Sequence, residues 1–598
     1  MKVIVANSVG IDSNRYAMVH SPSRWTNSYK DLNVFTYYPW ELAYTSSLLK
    51  RDTNYEVLFL DGCLKKLDFG AYYKKIAEHK PDFLIMESCT RTILEDSRLA
   101  KAIKKDFNTK LIFCGQHATG YPDEVAKFAD YVCLGEYEYT VLEILQGKKR
   151  EDILGIYPNK RRPLLDINTL PWPEDEDVSR LAYGNPGEPS CEYLEIQAYA
   201  SRGCPMQCNF CVCANMYYAK PNWRPRNVDN IISEITYLRK KYPQLEGIFF
   251  DEEVHNANKK FVLALTKAIC EHGLNDLHYN VMCGYWTMDQ EMLMAMKNAG
   301  YYMLRVGIET ADEKTAAAIG LGKKFNIAKL KEILKIAKDI GLKMYGTFTF
   351  GAAGSSDEGD KKTIKLLDEL ITKDLLWRFQ LSICTPQPGT PYFLWAKKNG
   401  FLKDVEWEKF DGGNFSVVDY PHYNSTQILE NYKTSEKFYD MAYINRSRNA
   451  IEQCMLNIPY QTVTNILLFR TARMWQVERI LNGLKKRYPM AKVMVMTQPI
   501  VEEELRLNNN IDNVLTYTND FLCLDKLSEG IKQEIKMSKF DLAIIPYNNP
   551  QGKGYEEVER VAAYATSCHK IGVGIECELF EVVSAGKREM ICNTNNFC

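Results

Sequence analysis

The segment Ser201–Cys213, SRGCPMQCNFCVC, places Cys204, Cys208, Cys211 and Cys213 within ten positions. Burial accounts for isolated thiols, but it gives no reason for this spacing. A structural zinc site draws its thiolates from two separated knuckles, and four ligands inside ten residues close a tetrahedron only with strain. A thioredoxin-type redox pair needs a CxxC at a helix start; Cys208 and Cys211 have that spacing, and Cys204 is then left over. An iron–sulfur cubane takes one cysteine per iron. Three cysteines in a CxxxCxxC loop can hold three irons and leave the fourth open to a ligand.

Such a loop needs a scaffold. From about residue 194 to 400, apolar runs that read as strands (LEIQAYAS, GIFFDEEV, HYNVMCGY, YMLRVGIET, KMYGTFTFG and RFQLSICTP) alternate with helical stretches such as VDNIISEITYLRKKY and NIAKLKEILKIAKDIG. Six βα units predict an incomplete parallel (β/α)6 barrel, whose chemistry collects at the strand carboxyl ends. The cysteine loop falls where the first of these strands ends.

Residues 1–146 show five further alternations, from KVIVANSV to ADYVCLGE, and predict a doubly wound parallel sheet. Ligands on such sheets sit beyond the strand carboxyl ends, where Ser88, Thr90, Gly115, His117 and Gly135 lie; each also serves as an ordinary turn residue. Residues 147–190, rich in charge and proline, read as a linker wrapped over a surface. Residues 401–460 read as a mainly helical connector, and 461–598 as a third α/β domain ending in the tail MICNTNNFC. The fold class is therefore α/β throughout.

The chain has 598 residues, 46% of them hydrophobic and 25% charged, with a formal net charge of −1. This balance disfavours nucleic acid and anionic membranes as partners. No apolar run approaches the ~20 residues of a membrane span, and the N-terminus reads as a first buried strand rather than a signal peptide. A cytoplasmic location follows, in which the 18 cysteines stay mostly as thiols. Cys63, Cys89, Cys114, Cys133 and Cys270 stand singly in apolar contexts and read as buried thiols.

CPMQCNFC, with Phe210 before its last cysteine, resembles the cluster loop of the radical S-adenosylmethionine (SAM) superfamily. The resemblance implies that Cys204, Cys208 and Cys211 ligate a 4Fe–4S cluster, with Cys213 outside the ligand set. It also implies that SAM chelates the open iron and is cleaved to a 5′-deoxyadenosyl radical. Further segments extend it over residues 195–400. The pair Arg224 and Arg226 matches the basic pair that follows the loop. Asp251 and Glu252, in GIFFDEEV, match an acidic pair near the SAM methionine end; an acidic helix cap is the competing reading. Gly307 and Glu309, in RVGIE, resemble the strand-five stretch that reaches SAM, with Arg305 as an alternative partner for Glu309. Thr349, in GTFTFG, lies in the strand-six element that approaches adenine, and TPQPGTPYF resembles the closing segment.

Residues 1–146 resemble the cobalamin-binding domains that precede many such cores, which implies a corrin near Ser88, Thr90, Gly115, His117 and Gly135. No Asp-x-His-x-x-Gly stretch supplies a histidine below cobalt; His117 stands in GQHA, a different context. The third domain resembles one lobe of heptosyltransferase-like glycosyltransferases. A single lobe makes glycosyl transfer by this chain alone a poor expectation and suggests docking or substrate presentation.

The resemblance implies a cobalamin-dependent radical SAM methyltransferase acting on an unactivated carbon. Its substrate would be small or carbohydrate-linked, and its electrons would come from an external donor such as flavodoxin or ferredoxin. A radical rearrangement, cyclisation or oxidation without methyl transfer is the alternative enzyme. An iron–sulfur scaffold or sugar-binding protein is the alternative of another class; it would gain from a fourth cysteine ligand and nothing from an open iron.

Overall fold

A computed structural model describes residues 1–21, 25–29, 36–184, 191–322, 325–447, 450–518, 521–549, 552–575 and 577–593. The last six positions of the expected linker, 185–190, lie outside these. Two compact units form, one over Met1–Pro186 with Cys191–Phe438 and one containing Tyr439–Cys598.

The first unit opens on a five-stranded parallel sheet. Its order is Glu56–Leu60, Lys2–Ala6, Phe83–Glu87, Lys110–Cys114 and Tyr131–Val132. The helix Ile93–Phe107 buries Ile93, Leu99, Ala100 and Ile103 on one stripe against it. Each larger aliphatic side chain there contributes about 1.5–3 kcal/mol. A hairpin, Ala17–Ser21 paired with Trp25–Tyr29, adds to the expected alternation. Of the five cysteines expected to be buried, Cys63, Cys89, Cys114 and Cys133 are, whereas Cys270 is exposed.

The linker is tied into this unit. Arg180 is buried and donates to Glu234 at 2.5 Å and to the Gln197 carbonyl at 2.9 Å. Tyr183 donates to Asp61 at 2.6 Å.

The barrel is a six-stranded all-parallel sheet, in spatial order Glu195–Ala198, Gly247–Phe250, His278–Cys283, Tyr301–Glu309, Lys343–Phe350 and Arg378–Ile383. Six of its helices start where the side chain of Asn258, Asp289, Asp312, Asn326, Ser356 or Thr390 accepts a first-turn N–H, whereas Val228–Lys241 has no such cap. Such caps contribute roughly 0.5–2 kcal/mol each. RVGIE lies on the fourth strand and GTFTFG on the fifth, so the strand numbers carried over from the resemblance are each one too high. Inside the barrel, the Arg305 guanidinium lies 4.5 Å from the Phe249 ring centroid and 4.8 Å from that of Tyr345.

The connector is less helical than expected. Its first part is irregular and bridged at Leu402 and Val418, and its long helix begins at Ser425. In the second unit, Asn513–Thr516, Lys492–Thr497, Asn465–Phe469, Leu542–Pro546 and His569–Val573 form a parallel sheet. An antiparallel hairpin, Glu578–Ser584 with Lys587–Asn593, extends it. The first four residues of the expected tail, Met590–Asn593, are therefore strand, held by backbone pairing that their composition hides; the rest of it lies outside the described residues. Among the described residues, no helix is long and apolar enough to cross a membrane.

Candidate active site

The cysteine loop leaves the first barrel strand through a two-residue strand, Ser201–Arg202, paired antiparallel with Arg224–Pro225. Three consecutive acids follow the second barrel strand, and two of them hold this entry. Glu252 is fully buried; it accepts from the backbone N–H of Ser201 at 2.8 Å and of Ala200, and pairs with His255 at 2.7 Å. His255 in turn meets the Tyr301 hydroxyl at 3.0 Å. Glu253 accepts from the Gly203 N–H at 2.9 Å and from the Tyr218 hydroxyl at 2.9 Å. Glu252, expected beside SAM, thus turns toward the loop backbone. Glu253, which the sequence reading passed over, anchors the residue before Cys204. Asp251 is buried near Cys191.

Cys204, Cys208 and Cys211 form no disulfide and are half-buried, as is Phe210, while Cys213 is buried. Burial pushes the Cys208 thiol well up, and the neighbouring Cys211, Glu309 and Cys204 add to the effect. Each of those three groups is therefore within electrostatic reach of Cys208. Hydrogen bonding from the Cys213 thiol and from the backbone N–H groups of Ala214 and Cys213 holds Cys211 below the ordinary thiol range, against burial. Among the described residues, no three His, Cys, Asp or Glu side chains converge on a single metal ion. A cubane asks something different of its thiolates, because each binds its own iron. Half-buried cysteines outside any disulfide, one with N–H donors on its sulfur, fit such a cluster.

Glu309, Gly307 and Thr349 come together at the end of the fourth strand. A bulge between Gly307 and Glu309 interrupts the pairing with the fifth strand, and Glu309 itself has φ +64°. Bulges re-aim side chains. Here the carboxylate accepts from Thr349 at 2.8 Å and from Thr347 at 3.4 Å. Burial raises its pKa, and the two hydroxyls oppose the rise. Arg305, the alternative partner, donates instead to Asn280 at 3.0 Å. A carboxylate held by two hydroxyls near Cys208 keeps acceptor capacity for the ammonium and hydroxyl donors of SAM.

The basic pair is structural. Arg224 forks onto Glu136 at 2.9 and 3.0 Å, and Arg226 binds Glu234 at 2.5 Å and the Tyr199 carbonyl at 2.7 Å. Arg202 also crosses to the N-terminal sheet, at 3.2 Å from Glu136 and 2.6 Å from Glu138.

Ser88, Thr90, Gly115, His117 and Gly135 gather at one end of the N-terminal sheet and are all buried. Ser88 donates to Asp96 at 2.8 Å, and His117 Nδ1 lies 3.2 Å from the Thr90 hydroxyl, with Nε2 3.5 Å from Glu124. A Cβ on Gly115 would fall 2.5 Å from the Glu87 side chain, and one on Gly135 2.7 Å from the Tyr217 carbonyl. The Ser88 and Thr90 hydroxyls, His117 Nδ1 and the two glycines thus each have protein beside them. Without a hydrogen-bond partner stand His117 Nε2 and, beyond the expected residues, both carboxylate oxygens of Glu87 and the hydroxyls of Tyr137 and Tyr217, all buried. An orphaned buried carboxyl is costly unless a donor arrives, and the amide-rich rim of a corrin supplies such donors. Glu87, Tyr137 and Tyr217 fit that group.

Residues 199–367 match the Radical SAM superfamily. An uncharacterized methyltransferase of Pyrococcus horikoshii is 27% identical, covering 65% of this chain and 85% of the relative. The bacteriochlorophyllide d C-8(2)-methyltransferase of Chlorobaculum tepidum is 22% identical, over 55% of this chain and 72% of that one. The fold is similar to that of the cobalamin-dependent SAM radical enzyme OxsB with aqua-cobalamin bound (TM-score 0.53, 12% identity, 81% of this chain and 72% of that one). It is also similar to the radical SAM methyltransferase TsrM of Kitasatospora setae with tryptophan substrate and a SAM analogue bound (TM-score 0.52, 15% identity, 68% and 77%).

Proposed function

The chain carries a radical SAM domain, and from that premise we propose that it is a cobalamin-dependent methyltransferase acting on an unactivated carbon of a small molecule. The observation that supports this reading is that Cys204, Cys211 and Glu309 each lie within electrostatic reach of Cys208. The methyltransferase names of the relatives support it.

The chain's own residues do four things. Cys204, Cys208 and Cys211 hold the cluster, and the Cys213 thiol and nearby N–H groups stabilise the charge on Cys211. Glu252 and Glu253 fix the backbone at the loop entry. Glu309, oriented by Thr347 and Thr349, accepts hydrogen bonds from SAM. Glu87, Tyr137 and Tyr217 receive the amide groups of cobalamin. When bound, the cluster supplies the electron that breaks the SAM sulfonium bond, and cobalamin supplies a transferable methyl group. The protein positions both and excludes water. Electrons come from a flavodoxin- or ferredoxin-type donor in a reducing cytoplasm. A carbohydrate-linked molecule is one form of the substrate class.

Anaerobic reduction with SAM should release 5′-deoxyadenosine; a fully loaded protein that releases none overturns the reading. Bound cobalamin, in its paramagnetic reduced state, should show no nitrogen hyperfine structure from a histidine, and His117→Ala should leave that spectrum unchanged. Failure to bind any cobalamin would favour radical chemistry without methyl transfer.

A further inference from the structure

The second unit carries a set of unsatisfied donors that the radical chemistry does not use. In its sheet, Asn465–Phe469 is central, with Lys492–Thr497 on one side and Leu542–Pro546 on the other. The order reverses at this strand, and ligands of open α/β sheets bind beyond the carboxyl ends at such a reversal. The strand runs into Arg470–Thr471–Ala472–Arg473 and then the helix Met474–Arg487.

This loop is fixed in place. The Thr471 hydroxyl donates to the Pro546 carbonyl at 2.7 Å, while Asn548 and Tyr555 donate to the Thr471 carbonyl at 3.3 and 3.2 Å. Strand alternation then sets direction. Ile466 and Leu468 pack with the helix residues Val477, Ile480 and Leu484, whereas Leu467 and Phe469 pack on the opposite face. Arg470 continues the helix-facing series. On the next strand Val493 and Val495 face the same helix, and Thr497 continues that series. Arg470 and Thr497 therefore lie on one face, at adjacent strand ends beside the helix start.

Neither is satisfied. Thr497 is fully buried and its hydroxyl has no partner, and the Arg470 Nε is buried and without one. Tyr517, whose N–H donates to the Thr497 carbonyl at 3.0 Å, lies within electrostatic reach of Arg470. The helix beside them has no side-chain cap and no acid in its first turn, and Arg473 stands at its N-cap. Arginines at a positive helix end are unfavourable by themselves. Arg473 is relieved by an ion pair with Asp440; no hydrogen bond relieves the Arg470 Nε. A guanidinium, a buried hydroxyl and the first N–H groups of a helix without a side-chain cap are together a donor set that phosphate oxygens satisfy.

We propose that this end of the second unit binds a phosphate-bearing small molecule, held by Arg470, Thr497 and the first turn of the helix Met474–Arg487. The test is calorimetric titration of the full chain with inorganic pyrophosphate and, separately, with uridine diphosphate. Saturable binding of at least one is expected. Arg470→Gln should weaken it about tenfold or more, as for one lost charge-assisted hydrogen bond. Thr497→Val should weaken it about threefold or more. Equal affinity for both probes would mean that the site reads phosphate alone, and tighter uridine diphosphate binding that it reads the nucleoside too. No saturation with either, or unchanged affinity in an Arg470→Gln protein that melts normally, overturns the proposal. Should Arg470→Gln fail to fold, Arg470→Lys serves instead. It keeps the charge and loses the Nε donor, and unchanged affinity there overturns the proposal equally.

Discussion

Gly307 leaves the space that Glu309 occupies: a Cβ on Gly307 would lie 2.6 Å from Glu309 Oε1. The small residue and the acid two positions on are thus one device. Glu309→Gln should weaken SAM binding about tenfold, the loss of one charge-assisted hydrogen bond. Gly307→Ala should do the same by displacing an intact carboxylate. Equilibrium binding of SAM to cluster-loaded protein checks both, and a lowered melting temperature with unchanged affinity would make Glu309 a stabilising residue only.

Changing Cys204, Cys208 or Cys211 to Ala should each abolish iron incorporation, measured as iron per chain after anaerobic purification. Cys213→Ala should keep the iron. Because Cys213 hydrogen-bonds to Cys211, its loss removes a charge-stabilising partner from a cluster sulfur, so the reduction potential should become more negative. Iron loss in Cys213→Ala as complete as in the other three would undo the ligand assignment.

Glu252→Ala should act on stability before affinity. It leaves the N–H groups of Ala200 and Ser201 without their acceptor, at about 1–3 kcal/mol for a buried unsatisfied group. Denaturant unfolding of the metal-free protein should register this. If stability is unchanged and SAM affinity falls, Glu252 faces SAM after all.

Burial raises the Asp360 carboxyl to about 7, although Tyr423 and the Gly351 N–H donate to it at 2.6 and 2.9 Å. In the unfolded chain this group titrates near ~4. Between those values the folded state holds the extra proton. The contribution is therefore complete at low pH and is lost as pH rises from ~4 to about 7. Asp360→Asn should flatten the fall in unfolding midpoint across that window, and an unaltered slope would mean that Asp360 is ionised in the native protein.

What could be read from the sequence depended on whether a residue's role was local. All six barrel strands were legible because continuous apolar runs with helices between them mark buried parallel strands, and Gly307, Glu309 and Thr349 stand at the ends of two of them. Glu252 and Glu253 were not, because they follow the strand Gly247–Phe250, where alternation no longer fixes direction and tertiary contacts decide. Glu87 read as the end of an apolar run; only the fold shows that its carboxylate lacks a donor. The hairpins at Ala17–Tyr29 and Glu578–Asn593 lack a strong turn signal flanked by clean alternation, and backbone pairing defines them.

Arg202 sits two residues before Cys204 yet finds its counter-charges, Glu136 and Glu138, on the far side of the linker. This limits how the gene can be cut and rejoined. Residues 1–146 moved into another protein would carry Glu138 without its cation, and a barrel expressed alone would carry Arg202 without its anions. Within the intact chain, removing one partner and leaving the other buried costs about 3–5 kcal/mol, a large part of a domain's stability. Successful chimaeras should therefore be those that exchange Glu136, Glu138 and Arg202 together.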